Sequence, residues 1–231
     1  MKIAFFDSGI GGLSVLHHAM RVLPKEQFVF YADEDNVPYG VKTTDEVKGF
    51  VQQAFDFLVG CDVKAIVVAC NTATAAAVSA LRAALPAIPV IGVEPGVKPA
   101  AQLTKSGVVG VLATTRTLHS DRFQRLVGNH ANHVRVLAQA CPGLADTIEH
   151  EGADSPAVGK LLDAYIAPLA AAGADVVVLG CTHYPWVAEG IARRMPAGTV
   201  LLDTGEAVAR QTERLLSAAG LLGGGHGHLT L

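Results

Sequence analysis

The chain has 231 residues, 50% of them hydrophobic and 17% charged, and its formal net charge at pH 7 is -3. That length carries one large globular domain or two small ones, and the charge balance excludes the basic footprint of a nucleic-acid or acidic-membrane binder. No apolar run reaches the roughly 18–20 residues of a membrane span. Asp7 cuts the N-terminal apolar stretch too early for a signal peptide, so a cytoplasmic location is expected.

In chain order, a strand at 2–6 is followed by a helix at 13–22, a strand at 28–31 and a helix at 44–58. A strand at 65–69 leads to a helix at 72–85, then strands at 90–93 and 108–112, with a helix at 116–126. The remainder reads as strand 134–138, helix 156–171, strand 176–179, helix 186–194, strand 200–202 and helix 206–218. Several strands are continuous Val, Ile and Leu runs without alternation, the pattern of parallel strands covered on both faces. Strands alternating with helices predict right-handed βαβ units and an α/β fold.

The two halves resemble each other. One strand runs into Cys70-Asn71-Thr72, and roughly half a chain later another runs into Gly180-Cys181-Thr182-His183. The opening IAFFDSGIGGLS likewise has a counterpart in VVGVLATTRTLHS. The prediction is two similar parallel-sheet lobes with helices on both faces, related by a pseudo-twofold, with the active site in the cleft between them. The first lobe would take 1–93 plus 204–231 and carry Cys70, and the second would take 94–203 and carry Cys181. The break falls in GVEPGVKP, where two prolines and two glycines interrupt the pattern. The closing GGGHGHLTL reads as a loose tail.

The four cysteines (Cys61, Cys70, Cys141, Cys181) are widely spaced and are expected as free thiols in a reducing compartment. A cysteine directly after a buried strand and before a helix meets unsatisfied N–H groups and the positive end of the dipole. These favour the thiolate. Cys70 and Cys181 both read this way; Cys61, at a helix end, and Cys141, in an irregular stretch, do not. A single buried cysteine is ordinarily a small core residue, but two at matched turns point to chemistry. Paired thiols suit a racemase, in which one base removes an α-proton from one face and the conjugate acid of the other returns a proton to the opposite face. Hydrogen-bond donors must then meet the charge that builds on the carboxylate. Candidate donors lie at Asp7-Ser8-Gly9 with Gly11 and Gly12, at Asn71, Thr72 and Thr182, and at Thr114, Thr115 and Thr117.

DSGIGG also reads as a capping turn. It lacks both G-x-G-x-x-G and the Walker Gly-Lys-Ser/Thr, so nucleotide binding is rejected. No metal is expected at the site. His17 and His18 are adjacent on a helix and face different ways, and His226 and His228 offer at most a weak adventitious site in the tail. The paired thiols make pyridoxal phosphate unnecessary, and no cofactor is expected.

FFDSGIGGLSVL, VPYG, VVACNTATAA, VIGVEPGVKPA, the threonine-rich turn after GVVGVL, and VVLGCTHYP together span most of the chain. On these segments it resembles the aspartate/glutamate racemase superfamily, the glutamate racemases most closely. The resemblance implies a pyridoxal-independent two-base mechanism in which Cys70 deprotonates D-glutamate and Cys181 L-glutamate. It implies that Asp7 and His183 assist their thiols, and that Ser8, Pro38, Tyr39, Gly40, Asn71, Thr72, Thr114, Thr117 and Thr182 bind substrate. It further implies a homodimer that supplies D-glutamate for peptidoglycan. The chain departs from the family by being shorter at its C-terminal end and by carrying Ala145-Asp146-Thr147 where the family has Val-Pro-Leu. Glu149 still matches the acidic residue the family carries near the second thiol. The loop before VPYG, ADEDN, is more acidic than usual, with consequences expected for dimer contacts or access to the cleft.

The competing readings are a racemase for aspartate or another amino acid, a lyase or decarboxylase of the superfamily, and a non-catalytic binding protein. Superfamily lyases and decarboxylases often keep one cysteine where this chain has two. Nothing basic, repetitive or exposed speaks for a binding protein.

Overall fold

Uninterrupted apolar runs such as Ala65–Val68 supply side chains to both faces of a strand, and such strands need helices above and below them. The computed structural model describes residues 1–225 and 227–231 and divides into two compact units, Met1–Val93 with Thr204–Leu231, and Glu94–Asp203. His226 lies outside the described residues.

The first unit contains strands β1 (Lys2–Asp7), β2 (Gln27–Ala32), β3 (Val63–Val68), β4 (Val90–Gly92) and β9 (His228–Thr230). They form one parallel sheet in the order β4-β3-β1-β2-β9. Its helices are α1 (Leu13–Val22), α2 (Thr44–Val59), α3 (Asn71–Ala84) and α10 (Gly205–Ala218). Phe6, Ile66 and Val68 pack with Val51, Phe55 and Leu58 of α2 and Ala77 and Leu81 of α3. On the other face Ile3, Phe5 and Val67 meet Val15, Leu16 and Ala19 of α1 and Val208, Ala209 and Leu216 of α10.

The second unit contains β5 (Val108–Ala113), β6 (Arg135–Ala140), β7 (Val176–Leu179) and β8 (Val200–Leu202), all parallel in the order β6-β5-β7-β8. Its helices are α4 (Val97–Leu103), α5 (Thr115–Leu118), α6 (Asp121–His130), α7 (Leu144–Glu151), α8 (Pro156–Ala171) and α9 (Ala188–Ala192). Leu112, Val177 and Leu179 pack against Leu144, Ile148, Leu162 and Ile166, while Val109, Val111 and Val178 meet Val97, Ala100 and Phe123. Among the described residues no helix is long and apolar enough to cross a membrane.

Four local expectations are corrected. The helix predicted at 116–126 is two helices. Ser120 interrupts it by accepting the Phe123 N–H at 3.1 Å and donating to the Thr117 carbonyl at 2.7 Å, a hydroxyl competing locally with the helix ladder. GVEPGVKP is not irregular throughout, because α4 starts at Val97 and Pro99 falls in its first turn, where a missing N–H costs nothing. The helix predicted at 186–194 shrinks to a 3-10 turn at Tyr184–Val187 and the five residues of α9. The closing His228–Thr230 is not loose: β9 pairs with β2 from Gln27↔His228 to Val29↔Thr230. Gly227 permits this approach, since a Cβ there would lie 2.6 Å from the Pro24 carbonyl oxygen. A buried Lys64–Glu26 pair (2.6 Å) holds the same segment, Lys64 donating to the Leu221 carbonyl at 2.7 Å and Glu26 accepting the Gly223 N–H at 2.5 Å.

Candidate active site

In a parallel sheet the carboxyl ends of adjacent strands bring their following turns together. In the first unit Phe6 pairs with Val68, and the Ala69 N–H donates to the Phe6 carbonyl at 2.8 Å. The turns after β1 and β3 therefore lie side by side, and the Ser8 Oγ and Cys70 Sγ are 3.6 Å apart. Cys70 caps the fourteen-residue α3, its sulfur accepting the Ala73 N–H at 3.4 Å. The thiol thus sits at the positive end of that helix. Asn71 and Thr72 are buried beside it, and Asn71 Oδ1 has no hydrogen-bond partner among the described residues. An unmatched buried acceptor of this kind is suited to a donor brought by a ligand.

Asp7 is fully buried and accepts the Gly12 N–H at 2.7 Å. A Cβ on Gly12 would stand 2.6 Å from Asp7 Cβ, so only glycine allows this contact. Pro38 and Gly40 flank Tyr39 at the 3-10 turn Tyr39–Val41, and the Val37–Pro38 peptide is cis. The Tyr39 ring is buried against Phe6 and Phe50, with centroids 6.4 and 5.9 Å away. Its hydroxyl donates to Asp33 Oδ2 at 2.5 Å. Burial, the bond to Asp33 and the nearby charges of Asp33, Cys70 and Asp7 hold the phenol far above its ordinary range. Its polar tip is committed to Asp33, a member of the acidic ADEDN loop that is not among the candidate site residues of the sequence. An acid placed immediately after a strand and six residues before a tyrosine was the available signal.

In the second unit the turn after β7 carries Gly180, Cys181, Thr182 and His183. The Gly180 N–H donates to the Leu112 carbonyl at 2.7 Å, and a Cβ on Gly180 would lie 2.8 Å from that oxygen. Cys181 differs from Cys70 in one respect that corrects the expectation of matched helix starts. It precedes the 3-10 turn at Tyr184–Val187, not an α-helix, and its sulfur lies 3.7 Å from His183 Nδ1. His183 Nε2 in turn is hydrogen-bonded to Glu149 Oε2. A carboxylate on Nε2–H directs the lone pair of the neutral imidazole through Nδ1 to the thiol.

The altered stretch before Glu149 leaves this contact intact. Leu144 and Ile148 point into the core while Asp146 stays half-exposed beside His150, and Thr147 donates to the Gly143 carbonyl at 2.8 Å. Thr114 caps α5, accepting the Thr117 N–H at 3.2 Å and donating to Thr117 Oγ1 at 3.0 Å; Thr117 and Thr182 are buried. Cys141 is buried in the same core as Cys181 and Tyr184. Desolvation pushes its thiol up to about 12. Cys61 is half-buried at the end of α2, 3.5 Å from the Phe57 carbonyl. No group of three or more His, Cys, Asp or Glu among the described residues could hold a metal ion.

The two turns thus offer a thiol at a helix N-terminus beside a hydroxyl, and a thiol–imidazole–carboxylate chain. A family model described as Asp/Glu/Hydantoin racemase matches residues 14–212. The chain belongs to this racemase family. Glutamate racemase from Pseudomonas syringae pv. tomato is 49% identical over 229 residues, covering 99% of this chain and 83% of the relative. Among solved structures, this racemase superposes on glutamate racemase from Bacillus anthracis with a TM-score of 0.87 at 34% identity, covering 98% of this chain and 85% of that one. The Escherichia coli glutamate racemase in complex with L-glutamate and the activator UDP-MurNAc-Ala gives a TM-score of 0.85 at 29% identity, covering 100% and 98%. An aspartate racemase from Picrophilus torridus shares the fold at 16% identity, with a TM-score of 0.58 over 95% of each chain.

Proposed function

We propose that this racemase interconverts L- and D-glutamate without a cofactor, with Cys70 and Cys181 as its two proton-transferring groups. The observation that carries this reading is the pair of thiols, each at the carboxyl end of a parallel strand and each beside its own polar partner. The relatives named glutamate racemase, one of them holding L-glutamate and another, from Francisella tularensis, holding D-glutamate, support the substrate.

Cys70, as thiolate at the α3 N-terminus, takes the α-proton of D-glutamate and becomes a thiol. The electron pair is delocalised into the α-carboxylate, and the Cys181 thiol returns a proton to the opposite face. From L-glutamate the roles reverse, so protons balance over the cycle. Asp7 assists Cys70. His183, oriented by Glu149, takes the Cys181 proton through Nδ1 and gives it back. Ser8, the Pro38-Tyr39-Gly40 backbone, Asn71, Thr72, Thr114, Thr117 and Thr182 bind the substrate's carboxylates and ammonium group. The unmatched Asn71 Oδ1 suits the ammonium, and N–H groups at the α3 start suit a carboxylate. The product would feed peptidoglycan synthesis in the cytoplasm, and the working form would be a homodimer.

The test is α-proton exchange in D₂O with chiral analysis, run on both enantiomers of glutamate and aspartate, without added cofactor. Wild type, Cys70→Ser and Cys181→Ser are compared. Inversion of glutamate by wild type and its loss in each variant is the expected result. Normal glutamate inversion by both variants overturns the mechanism, and reaction of aspartate alone overturns the substrate.

A further inference from the structure

The acidic loop before the Val-Pro-Tyr-Gly segment divides into two kinds of residue. Glu34 and Asp35 are exposed, whereas Asp33 is buried. Its backbone N–H donates to the Asp7 carbonyl at 3.0 Å, carrying the β1–β2 ladder one step past the end of β2. Its carboxylate turns back onto its own loop. Oδ1 accepts from Asn36 Nδ2 at 2.9 Å and Oδ2 accepts from the Tyr39 hydroxyl at 2.5 Å.

Burying a carboxylate is costly unless its oxygens are matched by donors, and here both oxygens are used to fold one short loop. The bond from Tyr39 is charge-assisted and correspondingly strong. Tyr39 belongs to the same packed cluster as Cys70 and Ala73, and its ring rests on Phe6, the residue before Asp7. Asp33 therefore reaches two adjacent turns, through its main chain to Asp7 at the end of β1 and through Tyr39 to the neighbourhood of Cys70 after β3. The phenol lies among Asp33, Asp7 and Cys70, where a neutral donor is tolerated and a further anion would be repelled.

We infer that Asp33 is a positioning residue of the racemase reaction: its carboxylate fixes Tyr39, and with it the Pro38–Val41 turn, against the Asp7 and Cys70 turns. The inference rests on the reading of Cys70 as a proton-transferring group. It gives Asp33 an internal role within the acidic loop, while Glu34 and Asp35 stay exposed.

The experiment compares Asp33→Ala, Asp33→Asn, Tyr39→Phe and the Asp33→Ala/Tyr39→Phe double variant. Steady-state kcat and KM are measured for both glutamate enantiomers, and alkylation of each cysteine by iodoacetamide is followed by mass spectrometry in the same molecules. The expected loss in kcat/KM for Asp33→Ala is about tenfold or more, the kinetic equivalent of one charge-assisted hydrogen bond. Tyr39→Phe, which keeps the ring, loses a similar factor, and the double variant is no worse than the poorer single one, because both remove one linkage. Asp33→Asn, retaining one acceptor oxygen, falls between Asp33→Ala and wild type. The Cys70 alkylation rate changes several-fold while that of Cys181 holds.

An unchanged Cys70 to Cys181 ratio in both Asp33→Ala and Tyr39→Phe overturns the inference, and so does a rise at all four cysteines together, which marks general loosening. A wild type that fails to invert glutamate overturns the functional reading instead, and the alkylation ratio still decides whether Asp33 sets the Cys70 turn.

Discussion

His183 joins two groups that lie far apart in the chain: its Nε2 is hydrogen-bonded to Glu149 Oε2, and its Nδ1 stands 3.7 Å from Cys181 Sγ. Glu149 comes from α7 and Cys181 from the turn after β7, so the chain of contacts exists only once α7 packs through Leu144 and Ile148 onto the core containing Leu179 and Cys181.

Glu149→Gln keeps the shape but can present its amide N–H to Nε2, favouring the tautomer with its proton on Nδ1. That tautomer cannot accept the Cys181 proton. The expected outcome is a fall in kcat of about tenfold or more, within the range general-base catalysis contributes, with the melting temperature little changed. Steady-state kinetics beside thermal unfolding separate this from a folding defect, which would lower both.

Gly180→Ala tests the close approach that sets the Cys181 turn. The added Cβ would lie 2.8 Å from the Leu112 carbonyl oxygen and 3.1 Å from Ala113 Cβ. Relief requires moving backbone, so a destabilisation of about 1–3 kcal/mol is expected. Urea unfolding measures it, and activity should fall beyond what the folded fraction explains, because the shift is next to the thiol.

Cys141 makes stability sensitive to alkali. Burial pushes its thiol up to about 12 from an ordinary value of 9.0, so above pH 9 the unfolded chain releases a proton that the folded one retains. By linkage its contribution is intact below pH 9 and declines as pH rises toward 12. Unfolding free energies of wild type and Cys141→Ala between pH 8 and 11 should converge as pH rises, wild type having the steeper loss. Parallel curves would show that Cys141 is not the group responsible.

Lys64→Met removes one partner of the buried Lys64–Glu26 pair and leaves the other charged, with its Gly223 contact remaining. Breaking such a pair costs about 3–5 kcal/mol, whereas replacing both partners with apolar residues of similar volume is often close to neutral. Lys64→Met should therefore be less stable than Lys64→Met/Glu26→Leu. Limited proteolysis should cut Lys64→Met more readily than wild type between residues 219 and 225, where Leu221 has lost its anchor.

The parts of this protein that its sequence determined alone are those written in short-range preferences. The strand at Val176–Leu179 and the helices at Leu13–Val22 and Pro156–Ala171 were legible to the residue, because an unbroken apolar run or an apolar face of helical period depends on neighbours within a few positions. Cys70 at the start of α3 was legible for the same reason, and Gly180 belonged to a recognisable turn. Tertiary structure decided the rest. Whether Asp33 faced water or the core depended on where Tyr39 came to lie. Whether Glu149 met a histidine depended on how α7 packed, and whether HLT formed a strand depended on a free edge at β2 and an ion pair between Lys64 and Glu26. A local pattern specifies which backbone a segment prefers, but the partner of a buried polar atom is chosen by packing, since its desolvation is offset only by groups the fold brings to it.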